Sequence, residues 1–541
     1  MGPGDRRWVL VITDDYEAWS RAGWRTHLPG TGDIQAQVSE LGDETIPALA
    51  AAAADRVPDR VAVTVDGEPV THAELNDGAG RVAAWLATRI RPGDRVLLAA
   101  GTSISFVRCY LGALRAGAVV VLANPGYTAA ELGHLVADSG AALAFADRQP
   151  GRRLAELTAA RPRGAPLVTV DVRALPGEAR RTSGPGKTGR GRTAIAVRPD
   201  DTALLAYTSG TTGRPKGVPL THRQLAVSIR AAQAAWHWQA DDVLVHALPL
   251  YHQHGLGGVH AALIADGTVH IRSKFSAADL IRAAGDTRAD VLFAVPTMYQ
   301  ALMDSPAALA GGLRQLRLAV CGSAPLSPAL AGRLPAVLGG PPLVRYGTTE
   351  TGLNLSNPVG CPRGDTVGVA LPGVLARIAA PGHTGLADPG QDGEIQLRGP
   401  HVFAGYWNDP AATADAFTPD GWFRTGDIGA VDPATRHLII RGRIKELIIT
   451  GGLNVYPREV EIALEGHPSV AEAAVTGMAD ERWGERVTAW VVLRDGHGFD
   501  ETGLIAHAHT MLAGYKCPKR VFSLAALPRN QLGKIVRSAL G

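Results

Sequence analysis

Between residues 95 and 170 the sequence repeatedly alternates a short apolar run with a stretch long enough to form a helix. The apolar runs occupy residues 95–100, 118–123, 141–146 and 167–170. Such an alternation is typical of parallel strands that are joined and covered by helices. A further strand and a tight turn are predicted at residues 61–69, directly before another helix. The pattern therefore predicts an α/β fold.

Length and composition narrow the class of protein. The chain has 541 residues, which exceeds one ordinary hydrophobic core and predicts at least two domains. Its 54 lysines and arginines are scattered and balanced by 51 aspartates and glutamates, which argues against nucleic acid as a partner. The four cysteines form no CxxC pair, so we expect no structural zinc, no disulfide framework and a cytoplasmic location. No apolar run is long enough to predict a membrane span.

The strongest local signal is a loop rich in glycine and hydroxyl groups at residues 207–217, Tyr-Thr-Ser-Gly-Thr-Thr-Gly-Arg-Pro-Lys-Gly. Glycines allow backbone amides to approach a phosphate, hydroxyls donate hydrogen bonds, and a lysine supplies positive charge. The spacing differs from a Walker loop, because two residues separate the first two glycines and Lys216 precedes the third. On spacing alone, a solvated Ser/Thr/Gly turn remains the alternative to a phosphate-binding loop.

Four later segments join this loop in a resemblance to one family. They are Tyr-Gly-Thr-Thr-Glu at 346–350, Gly-Trp-Phe-Arg-Thr-Gly-Asp at 421–427, the run at 442–452 and Pro-Arg-Asn-Gln-Leu-Gly-Lys at 528–534. Their order and separations are similar to those of the adenylate-forming superfamily of acyl-CoA synthetases, carrier-protein adenylation domains and luciferases. The resemblance implies an α/β fold with a large N-terminal adenylation domain of layered sheets and helices, followed by a small mobile C-terminal α+β domain. We place these domains at 45–442 and 443–541, after an extension at 1–44 of unknown role that contains a Trp-bearing helical segment.

The same resemblance implies roles for single residues in the attack of a carboxylate on ATP. It assigns catalysis to Lys534, Glu350, Thr349 and His252, with Glu350 as the ligand of Mg²⁺, a cation that prefers oxygen ligands. It assigns nucleotide binding to Thr208, Ser209, Gly210, Thr211, Thr212, Gly213, Lys216, Ser323, Ala324, Tyr346, Gly347, Asp427 and Arg443. Lys445 becomes the hinge of the small domain, and Gly451 and Gly452 line a tunnel for coenzyme A. A surface glutamate, a turn-closing aspartate and a solvated C-terminal lysine are the alternatives for Glu350, Asp427 and Lys534.

A closer resemblance concerns the acid. The segments 249–256, 321–326, 345–347 and 354–358 are similar to malonyl-CoA synthetases, in which arginines meet the distal carboxylate. Arg345 matches one of these arginines, whereas Ala301 stands where the other is expected. Gln253 and Thr348 also depart from the subfamily, so these four positions are predicted to contact a modified acyl pocket. We therefore expect malonate to be a poor substrate; Arg345 pairing with a local carboxylate is the structural alternative.

The sequence thus predicts a ligase that uses ATP, Mg²⁺ and coenzyme A to adenylate a small acid and transfer it to a thiol. Other acceptors stay open, namely a carrier protein or an amine, as does nitrite activation for diazotisation in specialised metabolism. Two readings from other classes are a nucleotide-binding regulator without turnover and a luciferase-like oxygenase. The joint presence of Glu350, Asp427 and Lys534 argues against the regulator.

Overall fold

The computed structural model describes residues 15–28, 38, 41–159, 167–174, 196–208, 215–380, 382, 385–530 and 534–540. The strands are β1 (Val61–Val65), β2 (Glu68–Thr71), β3 (Arg95–Ala99), β4 (Val119–Leu122), β5 (Leu143–Ala146), β6 (Val168–Asp171), β7 (Thr202–Thr208), β8 (Lys216–Thr221), β9 (Val243–His246), β10 (Thr268–Ile271), β11 (Val291–Ala294), β12 (Leu318–Cys321), β13 (Leu343–Thr348), β14 (Gly352–Ser356), β15 (Val369–Ala370), β16 (Leu375–Ala379), β17 (Gly393–Arg398), β18 (Phe423–Val431), β19 (Leu438–Arg443), β20 (Ile448–Thr450), β21 (Leu453–Val455), β22 (Val470–Asp480), β23 (Gly484–Leu493) and β24 (Arg520–Ser523).

The α-helices are α1 (Tyr16–His27), α2 (Ile46–Arg56), α3 (His72–Leu86), α4 (Ile104–Arg115), α5 (Ala129–Ser139), α6 (Arg148–Ala159), α7 (His222–Ala235), α8 (Gln253–Ile264), α9 (Ala277–Asp286), α10 (Pro296–Met303), α11 (Pro306–Leu309), α12 (Pro328–Arg333), α13 (Pro335–Leu338), α14 (Pro410–Ala416), α15 (Pro457–Glu465) and α16 (Glu501–Met511). Several begin at the signals expected from sequence: Thr71, Thr128 and Thr221 each form a capping box with the Glu or Gln three residues later. None of the helices in the described ranges is long and apolar enough to cross a membrane.

Two large sheets form the body of the molecule. In the described residues, one sheet has the order β15-β14-β13-β12-β11-β9-β10-β1-β2 and the other β6-β5-β3-β4-β7-β8. The four apolar runs predicted between residues 95 and 170 are β3 to β6, and they pair in parallel as expected. Strands β3 to β5 are almost continuously apolar and buried because helices cover both faces, whereas the edge strand β6 is partly exposed. Their side chains belong to two hydrophobic clusters, one of which also includes the first large sheet. The mixed α/β architecture predicted from the sequence is confirmed.

A third, antiparallel sheet has the order β16-β17-β18-β19. Helix α1 packs against its edge strand β16 and against β15 of the large sheet. The backbone N–H of Ala376 on β16 donates to Ser20 Oγ at 2.9 Å, and Trp24 Nε1 donates to Val374 O at 2.9 Å. The predicted Trp-bearing helix is thus present, and its side chains satisfy polar groups that an uncovered sheet edge would leave unpaired.

The C-terminal part of the chain forms a smaller α+β unit with its own core. Its sheet has the order β21-β20-β23-β22, with β24 parallel to β23. Residues of α15, α16 and these strands make a cluster that is separate from the large core. This arrangement agrees with a large N-terminal and a small C-terminal domain, and the exact boundary between residues 442 and 443 stays a prediction.

Candidate active site

A cleft of about 1090 Å³ receives residues from both large sheets, the four-stranded sheet and the C-terminal unit. Most of the predicted site residues in the described ranges line it. They are Thr208, Lys216, His252, Gln253, Ser323, Arg345, Gly347, Thr348, Thr349, Glu350, Arg443, Lys445 and Lys534. Residues that are separated by more than 300 positions in the sequence therefore meet in one cavity, as the site prediction requires.

The two ends of the predicted phosphate-binding loop line the cleft at Thr208 on β7 and Lys216 on β8. Thr208 and Lys216 pair directly across these antiparallel strands. Helix α5 holds both ends, because Tyr207 Oη donates to Asp138 Oδ2 at 2.6 Å and His134 Nε2 lies 3.0 Å from Pro215 O. The predicted binding residues Ser209, Gly210, Thr211, Thr212 and Gly213 lie outside the described residues.

Glu350 follows β13 and faces the cleft next to Tyr406. Tyr406 Oη donates to Glu350 Oε1 at 3.0 Å, and Lys216 Nζ lies 4.9 Å from the centroid of the Tyr406 ring. Burial, followed by the charge of Glu350, raises the pKa of Tyr406, which keeps this donor protonated. No group of three or more His, Cys, Asp or Glu side chains in the described residues is arranged to hold a metal. A single carboxylate fits Mg²⁺, which takes its other ligands from phosphate and water.

Asp427 lies behind the cleft wall and is almost completely buried. Its two carboxylate oxygens accept from Tyr346 Oη at 2.6 Å and from Arg443 Nε at 2.9 Å. The neighbouring strands β18 and β19 place Asp427 and Arg443 opposite each other. The charge of Asp427 is the main cause of the raised pKa of Arg443. The carboxylate predicted to bind ribose is therefore rigidly held, although it does not itself line the cleft.

Lys534 reaches the cleft from the C-terminal unit. Its backbone N–H donates to Asn530 Oδ1 at 3.0 Å, and the N–H of Asn530 donates to Lys534 O at 2.9 Å. Burial lowers the pKa of the Lys534 ammonium, and Arg443 lowers it further, while Asp427 and Glu350 act in the opposite direction. Lys534 thus lies within electrostatic reach of the nucleotide-side residues, as a lysine that acts on phosphate requires.

The opposite end of the cleft contains a buried arginine. Arg345 has no hydrogen-bond or ion-pair partner among the described residues, and its Nε atom is completely enclosed. A Cβ at Gly322 would lie 2.4 Å from this atom, so glycine is needed there to admit the guanidinium. Burial lowers the pKa of Arg345 to about 10, which still leaves it cationic at neutral pH. Pairing with a local carboxylate, the structural alternative for Arg345, does not occur within the described part of the chain.

His254 lies beside this arginine. Its Nδ1 is 3.0 Å from Ser323 Oγ, and its buried Nε2 has no partner in the described ranges. Burial and the charge of Arg345 hold the pKa of His254 well below its usual value, so the ring is neutral. Ser323 has φ of +70°, an uncommon conformation for a residue with a Cβ. This part of the cleft therefore contains a guanidinium without a partner and a neutral imidazole whose Nε2 atom has no partner among the described residues.

Comparison with known proteins decides which family this geometry represents. The AMP-binding enzyme model matches residues 50–407, and the model of the AMP-binding enzyme C-terminal domain matches residues 459–534. The chain belongs to the AMP-binding enzyme family.

Similar proteins include several ligases. A Mycobacterium tuberculosis CoA ligase for a methyl-dioxo-octahydroindenyl propanoyl group is 37% identical, with 92% of this chain and 98% of that protein covered. A feruloyl-CoA synthase of Amycolatopsis sp is 36% identical, with 89% of this chain and 95% of that protein covered. The ATP-bound structure of MatB from Rhodopseudomonas palustris matches with a TM-score of 0.83 and 37% identity, over 92% of this chain and 98% of that one.

These findings confirm the predicted activity. The protein is an AMP-forming acid–thiol ligase that activates an acid with ATP and Mg²⁺ and transfers the acyl group to coenzyme A. The regulator and oxygenase alternatives have no support from these comparisons. The relatives named above act on acids of very different shape at nearly equal identity, so overall similarity does not define the acid of this family member.

Six predicted residues in the described ranges do not line the cleft of this AMP-binding enzyme, namely Ala301, Ala324, Tyr346, Asp427, Gly451 and Gly452. Ala301 is a half-buried residue of α10, and neither it nor Ala324 lines the cavity. Gly451 and Gly452 are exposed at the turn between β20 and β21. The tunnel prediction requires another orientation of the C-terminal unit, because the orientation seen here presents Lys534 to the cleft instead.

Two other predicted acid contacts are already engaged with protein atoms. Gln253 Nε2 donates to Thr349 O at 3.0 Å, which ties the start of α8 to the segment that carries Glu350. Thr348 Oγ1 and Thr351 Oγ1 are 2.9 Å apart. His252, the residue before α8, is neutral because burial, with a smaller effect from Lys534, lowers its pKa to about 4.

The polar residues of the cleft that sequence reasoning missed include His254, Glu394 and Tyr406. His254 stood within the segment 249–256 but its role was not separated from that of His252. Tyr406 follows Gly405 and precedes Trp407, an aromatic pair after a glycine that is a usable signal for a binding loop. Glu394 accepts from the Gly426 N–H at 3.3 Å, a contact that only the antiparallel pairing of β17 and β18 reveals.

Proposed function

We propose that this ligase activates a small acid whose far end carries one group that accepts hydrogen bonds from Arg345. The observation that carries the proposal is the buried guanidinium without a partner in the described residues. An enclosed, unpaired cation is unfavourable, and an anionic or strongly polar ligand group removes that penalty. The planar fork of arginine suits a carboxylate or a similar planar group. His254 Nε2 offers a second polar contact beside it.

The adenylation step places the acid carboxylate between Lys534 and the nucleotide. Lys534 neutralises charge on carboxylate and phosphate while the new bond forms, and Thr349 donates to the phosphate. Glu350 would hold Mg²⁺, which supplies further neutralisation of phosphate charge. Tyr406 orients Glu350 through its hydroxyl, and Asp427 fixes the ribose side together with Arg443. The neutral ring of His252 closes the acid site without adding a competing positive charge.

The thiol step uses a second orientation of the C-terminal unit, with Lys445 as the pivot. Support comes from the positions of Lys534 and Gly451 on the same unit. Lys534 lines the cleft, whereas Gly451, with φ of +58° and Trp483 packed against it, lies outside the cleft lining. One orientation does not present both segments to the same substrate, so rotation about a few backbone dihedrals is required between the half-reactions.

A screen for pyrophosphate release tests the acid. Malonate, short and branched acids, hydroxy and keto acids, aryl acids, amino acids and nitrite are compared, each with and without coenzyme A. We expect activity with small acids that bear a distal acceptor group, and little activity with purely aliphatic acids of the same length. Preference for unsubstituted aliphatic or aryl acids would contradict the proposal.

The same screen tests the acceptor. The family activity is transfer to coenzyme A, so thioester is expected when coenzyme A is present. A carrier protein or an amine is the alternative acceptor predicted from the sequence. Release of pyrophosphate with no thioester, followed by amide formation on addition of amines, would favour the amine.

A further inference from the structure

The loop that bears Lys534 is closed by its own backbone contacts. Arg529 and Ile535 form a bridge, and the N–H of Val536 donates to Pro528 O at 2.8 Å. These contacts define the ends of the loop, but they involve only the loop itself. The placement of Lys534 in the cleft therefore depends on what anchors the loop to the rest of the C-terminal unit.

Arg537 supplies such an anchor three residues after Lys534. Its Nε donates to Val475 O on β22 at 3.3 Å, and its Nη2 donates to Glu461 Oε1 on α15 at 2.5 Å. Its Nη1 lies 3.5 Å from Glu446 Oε2. Glu446 ends the 3₁₀ turn Ile444–Glu446, whose middle residue is the proposed pivot Lys445. One guanidinium thus joins the Lys534 loop, the core of the unit and the pivot turn.

Arg537 contacts two glutamates, the buried Glu461 and the partly exposed Glu446, and these two depend on it to different degrees. Glu461 is nearly completely buried, but it also accepts from the N–H of Val475 at 3.1 Å and from Arg458 at 3.4 Å. It therefore has two donors without Arg537. Glu446, in contrast, has no other ion-pair partner within the described residues. The planar, five-donor guanidinium spans both carboxylates in a way that the single ammonium of lysine does not.

We propose that Arg537 is a positioning residue that fixes the Lys534 loop relative to the pivot turn, so that Lys534 enters the cleft in the adenylation orientation. The inference rests on the roles proposed above for Lys534 and Lys445. It concerns the adenylation half-reaction, because a small misplacement of a catalytic group is costly where charge develops. The thiol step, which does not use Lys534, should depend on Arg537 much less.

The test uses the full-length enzyme and the conservative substitution Arg537→Lys. ATP–pyrophosphate exchange reports adenylation, and thioester formation from supplied acyl adenylate reports the thiol step. We expect kcat for adenylation to fall about tenfold to a hundredfold, with the KM for ATP and the thiol step changed by less than about threefold. Glu446→Gln, which leaves no buried charge unpaired, should show the same pattern with a loss of about twofold to fivefold. Arg520→Lys, in the exposed pair with Glu501, is the matched control and should change neither step.

The double variant Lys534→Ala/Arg537→Lys separates positioning from general stability. If Arg537 acts through Lys534, the double variant adenylates at the same residual rate as Lys534→Ala, because the losses are not additive. A further loss in the double variant, or equal losses in both half-reactions of Arg537→Lys, would overturn the inference, as would unchanged adenylation. Full adenylation by Lys534→Ala alone would instead refute the role proposed for Lys534, and the inference with it.

Discussion

The two ends of the cleft differ in whether their charged side chains have hydrogen-bond partners within the protein. At the nucleotide end, Asp427 is held by Tyr346 and Arg443 through hydrogen bonds of 2.6 and 2.9 Å. At the acid end, Arg345 and His254 are buried with atoms that have no partner in the described part of the chain. The charges of the nucleotide end are therefore satisfied within the protein, whereas we propose that the acid satisfies those of the other end. The first arrangement favours stability, and the second favours discrimination between acids.

Lys534→Ala removes the side chain that is proposed to act on both the acid and the nucleotide, and it should have the largest effect on the rate of adenylation. The lysine neutralises charge that develops as the acid attacks ATP, so its loss should lower adenylation at least a hundredfold. Formation of thioester from supplied acyl adenylate should change by less than about threefold. ATP–pyrophosphate exchange and thioester formation are measured on the same preparation. Equal losses in both steps would contradict the assignment.

Arg345→Met tests the acid end alone. Removal of a hydrogen bond to a charged group should lower kcat/KM for the acid about tenfold to a hundredfold. The KM for ATP should remain within about twofold. The melting temperature should stay constant or rise, because the substitution removes an unpaired buried charge. Arg345→Lys is the matched variant: it keeps the charge and should lose most of the activity without the gain in stability. A lower melting temperature in Arg345→Met would indicate a structural partner instead.

Asp427→Asn tests the nucleotide end and should give the converse result. The KM for ATP should rise about tenfold, since one charged acceptor is lost, while the KM for the acid stays constant. The free energy of unfolding should fall by about 1.5–3 kcal/mol, because the contacts with Tyr346 and Arg443 weaken. Steady-state kinetics and thermal melting measure both quantities. A variant with unchanged stability would show that this end is not organised before the nucleotide binds.

Lowering the pH should destabilise the folded protein through His254. This is the smallest effect among these four predictions. Burial and Arg345 lower the folded-state pKa of His254, with a further contribution from His246. Below about pH 6.5 the unfolded chain therefore binds protons that the folded protein does not, and the folded state loses stability. His254→Gln should reduce this loss by about 1 kcal/mol between pH 6.5 and 5.5, as measured by urea unfolding. The exposed His497→Gln is the control and should leave the pH dependence unchanged.

The sequence predicted the parts of the fold and site that depend on local patterns. The strands between residues 95 and 170 were predicted from short apolar runs. Glu350 and Lys534 were predicted as site residues because each occupies a fixed position in a family motif. Contacts between distant segments were not accessible in this way. The hydrogen bond from Tyr406 to Glu350 joins residues 56 positions apart and depends on how the loop after β17 folds back.

Three predicted site roles remain predictions, and the structure shows where those residues lie. Gln253 was predicted to contact the acid because it departs from the subfamily, and in the structure its amide donates to Thr349 O. Ala301, which stands where the resemblance predicts an arginine, is half-buried on α10 and does not line the cleft. Gly451 was predicted to line a tunnel for coenzyme A, and it lies outside the lining of the cleft. Sequence motifs identify residues for both orientations, whereas one structure shows one.

Helix α1 has a consequence for handling the protein. The curated ligase of Mycobacterium tuberculosis matches 92% of this chain, and the AMP-binding enzyme model begins at residue 50, so truncation to the shared region is an obvious choice for expression. That truncation would remove Ser20 and Trp24 and leave the outer edge of β16 with open hydrogen-bonding groups. Exposed edges of this kind recruit strands from neighbouring molecules. We expect a shortened enzyme to aggregate through this edge, which does not contribute to the lining of the cleft, while its catalytic residues stay in place.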